Sequence, residues 1–245
     1  MWKSLFAASL CAGLSSCASV TVQNAIPLSQ PPPAAKPQKI FVQPFTFDEG
    51  TVRVNREGQE LTDFKTGLQR EMAKNLVERL RKYVANAEVL PANAGVPRGD
   101  YWLLTGKFTR VNQGSRFLRS AVGFGSGGTK MDTTVTVSEL SGEAPRPLVM
   151  IQTTGGSNAM PGAIMGVISW PMIMNGGEGI ISGVTGDCRR TSREITAAVA
   201  QYCRENSLFV AGDAPKPKPK GLPSWWPEKK GAGREIEEST DGLGQ

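Results

Sequence analysis

The sequence predicts an α+β fold in which two long helices pack on a mixed, mostly antiparallel sheet. Two stretches, 62–84 and 187–203, repeat apolar residues at helical spacing. Several short β-prone runs lie before and between them, one with strict apolar/polar alternation. The 28 Gly and 17 Pro cut the remainder into short strands and loops, which argues against a helical bundle.

In chain order, Met1–Ser4 is a short leader with one positive charge, and Leu5–Leu14 is apolar. About ten apolar residues are too few for a bilayer span, which needs about 20, so residues 1–16 read as an export signal. Leu14-Ser15-Ser16-Cys17 then has the form of a lipobox: an aliphatic residue, two small residues and a Cys that becomes the acylated N-terminus. The alternative is an ordinary secretory signal with a chance Cys. Acyl chains on Cys17 would bury at about 0.8 kcal/mol per methylene and hold a domain without a membrane helix. In bacterial lipoproteins that this leader resembles, Asp after the Cys marks inner-membrane retention. Ala18 stands there instead, which points to the outer membrane.

Residues 17–39 contain Gln30-Pro31-Pro32-Pro33 and read as a Pro-rich tether. Ile40–Phe45 is a buried strand closed by Pro44, and Thr51–Val54 a short edge strand or loop. Thr62 or Asp63 is predicted to cap a helix running to about Val84. Its apolar stripe is Phe64, Leu68, Met72, Leu76, Leu80 and Tyr83, joined by Ala73 and Val77.

Glu88–Leu90 and Tyr101–Val111 are further strands. After a Gly-rich turn, Met131, Thr133, Val135 and Val137 alternate with polar residues, as in a half-buried antiparallel strand. A turn at Ser141–Glu143 leads into the strand Leu148–Thr153. Residues 158–185 form an apolar Gly-rich segment with two Gly-x-x-x-Gly spacings. Trp170-Pro171 and Asn175-Gly176-Gly177 break it into pieces too short to span a membrane.

The last helix is predicted from Asp187 or Thr191, where Thr191-x-x-Glu194 fits a capping box. Fifteen residues of helix would hold Cys188 and Cys203 about 22 Å apart, so two buried free thiols are expected. A periplasmic disulfide is the other reading, and it requires the chain to fold back. The domain proper is expected over 40–207. A disordered Pro/Lys tail over 208–245 follows, whose odd feature is Trp225-Trp226.

The chain has no His, which removes Ser-His-Asp and Cys-His catalysis and every His-containing zinc site. A net charge of +6, spread along the chain, does not argue for nucleic acid. Gly123-Phe124-Gly125-Ser126-Gly127-Gly128 matches a dinucleotide fingerprint in letters only, because a strand follows it where a helix must. The bland reading is a glycine turn. A sharper one notes Arg116 and Arg119, with Arg110 close by. Their guanidinium groups and the bare amides of Gly123 and Gly125 would hold an anion. Acidic residues are scattered without a spacing that singles out a catalytic pair. No enzyme, cofactor or metal is expected.

The run Tyr101-Trp102-Leu103-Leu104-x-Gly106-x-Phe108-x-x-Val111-x-x-Gly114-Ser115-Arg116-x-x-Arg119-x-x-Val122-Gly123-Phe124-Gly125 resembles a family of bacterial lipoproteins, the domain of unknown function 4410. The resemblance covers about residues 40–207. It implies helices laid against a mixed sheet and a relation in architecture to the curli-secretion lipoprotein and to ring-forming exopolysaccharide-export lipoproteins. It transfers no active site. The chain departs from it in the Trp-Trp tail and the apolar segment.

The expectation is a non-enzymatic outer-membrane lipoprotein facing the periplasm and joined to the membrane through its N-terminal lipid. It would serve as an assembly or accessory component of an envelope export or surface-structure system, with a homo-oligomer or an export partner and no nucleic acid. The alternative is an envelope module binding an anionic ligand at the Arg/Gly turn.

Overall fold

The computed structural model describes residues 19–112, 129–156 and 182–218. In chain order these form β1 (Ser19–Pro27), β2 (Lys39–Val42), β3 (Thr46–Phe47), β4 (Val52–Arg53), α1 (Gly58–Tyr83), β5 (Asn86–Val89), β6 (Tyr101–Asn112), β7 (Lys130–Glu139), β8 (Arg146–Gly156) and α2 (Ser182–Glu205). The strand order is β1-β8-β7-β6-β2-β5, with β3 and β4 also paired to β6. The long ladders β1/β8, β8/β7 and β7/β6 are antiparallel, while β2, β3 and β4 add to β6 by short parallel pairings. This is the α+β architecture expected from the sequence.

One face of the sheet carries the main core. Trp102, Leu104 and Phe108 of β6, Met131, Val135 and Val137 of β7 and Val149 and Ile151 of β8 alternate onto it, and the stripes of α1 and α2 cover them. The lengths match: twelve residues of β6 extend about 40 Å, and the helices run about 39 and 36 Å. The other face bears half-buried Thr105, Thr134, Thr136 and Gln152, with a small second cluster of Phe41, Leu90, Leu103 and Leu140. Gly106 is required on β6 because a Cβ there would meet the Phe45 ring at 2.4 Å.

The α1 stripe is as predicted, but the helix starts at Gly58, earlier than Thr62 or Asp63. The Thr62 hydroxyl donates back to the Gly58 carbonyl at 3.2 Å and is not a cap. Arg56 lies 4.6 Å from the Phe64 ring centre and pairs with Glu60, fastening the first turn. Likewise α2 starts at Ser182, not at Asp187 or Thr191. Thr191 and Glu194 lie inside it, at most 1% exposed, so they form no capping box.

Two further expectations are corrected. The tether over 17–39 is not a free stalk, because β1 occupies the otherwise open edge of β8 and buries Val20. Its Pro-rich part is fastened too: Ser29 Oγ donates to the Pro147 carbonyl at 2.5 Å and Arg146 to that of Pro31 at 2.7 Å. Nor does order end at Leu208. Leu208 and Ala214 enter the core, and Ala211 N–H donates to the Tyr83 carbonyl at 2.9 Å. Prolines 215 and 217 lack N–H donors, so this run can lie on a helix at little desolvation cost.

Cys188 and Cys203 are free and buried, as the helix spacing requires. Burial, helped by the carboxylates of Glu71 and Asp187, pushes the Cys188 thiol far up. Burial also pushes Cys203 up to about 12, against the pull of Arg204. Both thiols stay neutral in the folded chain while the unfolded chain ionises them above 9.0. Their contribution to stability is therefore complete below pH 9.0 and is lost as pH rises through the folded values. Urea unfolding is expected to show a decline of about 1.4 kcal/mol per thiol per pH unit in that window. The Cys188→Ala/Cys203→Ala double variant should lose this slope; an unchanged slope would assign it elsewhere.

Candidate functional site

One end of the sheet collects the described residues that border the sequence-predicted ones. Ser19 of β1 aligns with Gly156 of β8, Gly156 with Lys130 of β7, and Lys130 with Asn112 of β6. The chain therefore enters the fold, leaves β6, returns to β7 and leaves β8 at a single rim. Cys17 stands two residues before Ser19, and Arg116, Arg119, Gly123 and Gly125 lie on the connection between Asn112 and Thr129. These five residues, with the segment 158–181, lie outside the described residues. What the fold settles is that their points of attachment are neighbours.

Arg110, near the same rim, is already engaged. Its guanidinium meets Asp132 at 2.7 Å across the β6/β7 ladder. The other Asp132 oxygen accepts the Thr154 hydroxyl at 2.5 Å. That three-strand network pairs the Arg110 charge with Asp132 on the open face of the sheet.

A buried carboxylate braces the rim from the helix side. Asp187, 1% exposed, accepts the Thr129 hydroxyl and an Arg190 N–H at 2.5 Å. It thus ties the first turns of α2 to the point where the chain enters β7. Farther along α2, Glu194 is also 1% exposed; it bonds Arg193 and accepts the Lys218 backbone N–H at 2.8 Å. A carboxylate stripped of water needs such charged and N–H partners, and each has them. By sequence alone both residues suit a helix cap. Arg190 and Arg193, close by in sequence, are the local sign that they pair inside the fold.

Elsewhere, a cavity of about 450 Å³ opens between α1 and the β2/β5 edge, floored by Pro44, Ala73 and Val77 and rimmed by Arg70, Lys74 and Arg81. Arg81 is held by the Ala87 carbonyl at 2.5 Å. Among the described residues there is no group of three or more His, Cys, Asp or Glu that could hold a metal ion. No described helix is long and apolar enough to cross a membrane.

Fold and rim define a class: an α+β domain with helices on one face of a mixed sheet and its chain entry and long connections at one end. The chain belongs to the family of the domain of unknown function DUF4410, whose model matches residues 20–169. That match begins in β1, earlier than residue 40, in keeping with the strand being part of the domain. No curated protein matches. Solved structures with a remote likeness include a PelC dodecamer from Paraburkholderia phytofirmans, 14% identical over 72% of this chain and 94% of that one, with a TM-score of 0.35. A PelC variant dodecamer from the same organism is 13% identical over 72% and 96%, with a TM-score of 0.34.

Proposed function

We propose that this chain is a non-enzymatic lipoprotein of the outer membrane, facing the periplasm, held by acyl chains on Cys17 and serving as an assembly or accessory component of an envelope export or surface-structure system. The observation that carries this reading is the lipobox Leu14-Ser15-Ser16-Cys17 joined, two residues on, to the first strand of the sheet. Two extended residues reach about 7 Å, so a lipid on Cys17 would hold the rim of the sheet directly against the bilayer. The half-buried polar face of the sheet is the surface this reading assigns to further copies or to an export partner.

Cells fed labelled palmitate are expected to yield acid-stable label on this chain. Cys17→Ser should abolish the label and release the protein from the membrane fraction; label that persists in the variant overturns the anchor. Light scattering of the acylated chain in detergent should give a multiple of the monomer mass. A strict monomer would remove the self-assembly part of the reading.

A further inference from the structure

β5 stands last in the strand order, so one of its long sides is an edge of the sheet. Its register on β2 pairs Val42 with Val89, and the Leu90 N–H donates to the Val42 carbonyl at 2.9 Å. Successive residues of a strand send their N–H and C=O groups to opposite sides. The backbone groups of Glu88 and Leu90 therefore face β2, and those of Ala87 and Val89 turn to the edge. Arg81 marks that direction: reaching over from α1, its side chain donates to the Ala87 carbonyl at 2.5 Å. Arg81 thus covers the edge at Ala87, and Val89 is the next residue whose backbone faces outward.

Val89 also forms part of the wall of the cavity of about 450 Å³ beside α1. Its side chain is on the same face as the fully buried Ala87, two residues back, yet Val89 is 45% exposed. Pro44, Ala73 and Val77 continue this apolar surface. Thr66 and Arg81 mark the ends of the helix stretch along it, fifteen residues apart, so the groove is about 22 Å long. That is the length of about seven extended residues. Arg70, Lys74 and Arg81 border the groove, against the carboxylate of Glu78. Outward backbone groups, an apolar trough and a cationic border therefore meet in one place. An extended peptide answers all three, with its own backbone, its apolar side chains and its carboxylates. An acyl chain would answer only the trough.

We propose that the groove between α1 and the β5 edge is a docking site for an extended acidic peptide segment of a partner protein. The segment pairs its backbone with Val89, lays apolar side chains over Ala73 and Val77, and sets carboxylates against Arg70 and Lys74. The cover that Arg81 places on Ala87 keeps the pairing short and guards the edge against open-ended strand addition. The groove lies at the edge of the sheet opposite β1, and the proposal holds whether or not Cys17 is acylated.

The test pans a phage library of random octapeptides on the full chain, purified in detergent. The enriched peptides should combine Asp or Glu with Val, Ile or Leu; a library that enriches no acidic peptide overturns the proposal. An enriched peptide, made with a fluorescent label, is then titrated by anisotropy. Arg70→Glu/Lys74→Glu should weaken binding about tenfold or more, with the melting curve verifying the fold. The charge-matched control Arg53→Glu/Arg98→Glu, on exposed residues away from the groove, should leave binding within about twofold. Equal losses in the two variants mean attraction by net charge alone and overturn the site. The remaining arm alters only the peptide, so no variant needs to fold. Methylating its backbone nitrogens should also weaken binding about tenfold, and undiminished binding overturns the strand pairing.

Discussion

Replacing Trp102 by Ala is expected to cost about 3–5 kcal/mol, a large part of the roughly 5–15 kcal/mol that holds a domain of this kind folded. Trp102 is 1% exposed on β6, the strand that joins the antiparallel half of the sheet to its parallel half. Its indole stands edge-on to Tyr202 of α2, with ring centres 6.3 Å apart. The cavity left by Ala would lie between sheet and helix, where a 12-residue strand and a 24-residue helix cannot both shift to fill it. Urea unfolding should show a lower midpoint at an unchanged slope. Loss below about 1 kcal/mol would mean that the sheet and α2 are not packed as described.

Ending the chain after Ser207 is expected to destabilise the domain by about 2–5 kcal/mol, whereas ending it after Lys218 should be nearly neutral. The shorter chain lacks the buried Leu208 and Ala214, and it takes the Lys218 N–H from the buried Glu194. The longer chain keeps all of these. Thermal melts of the two truncations distinguish the cases, and equal melting points would show that residues 208–218 contribute nothing to the fold. With Glu194→Gln the penalty for removing residues 208–218 should shrink, because a neutral amide left without that N–H costs less than a carboxylate.

The two corrected segments share a physical cause. Residues 19–39 and 208–218 are rich in proline, and Pro-rich composition signals an extended backbone rather than a free one. In β1, Val20 and Val22 alternate with Thr21 and Gln23, a strand signal that the following prolines masked. In the tail there is no such alternation. Its attachment depends on Tyr83, Glu194 and Arg204, each far away or on another element, and no local pattern encodes those partners. Asp187, Thr191 and Glu194 follow a related logic: a polar residue near a helix start suits a cap equally well as a buried partner. Only Thr129, Met131 and Lys218 brought beside them decide which.

The α+β class, the sheet-facing stripe of α1, the alternation of β7 and the separation of the two thiols are all legible in the sequence. Each is a periodicity of 3.6 or 2 imposed by backbone geometry and the cost of wetting apolar side chains, so it is legible within one segment. The sequence also carries Leu14-Ser15-Ser16-Cys17, the local pattern on which the proposed anchor rests. That Ser19, Asn112, Lys130 and Gly156 share one rim, that Arg110 is bound by Asp132, and that residues 214–218 run back along α2 come from the folded chain alone. Those are relations between residues tens of positions apart, set by strand register and by which buried charge finds which partner. They exist only once the sheet has closed its ladders.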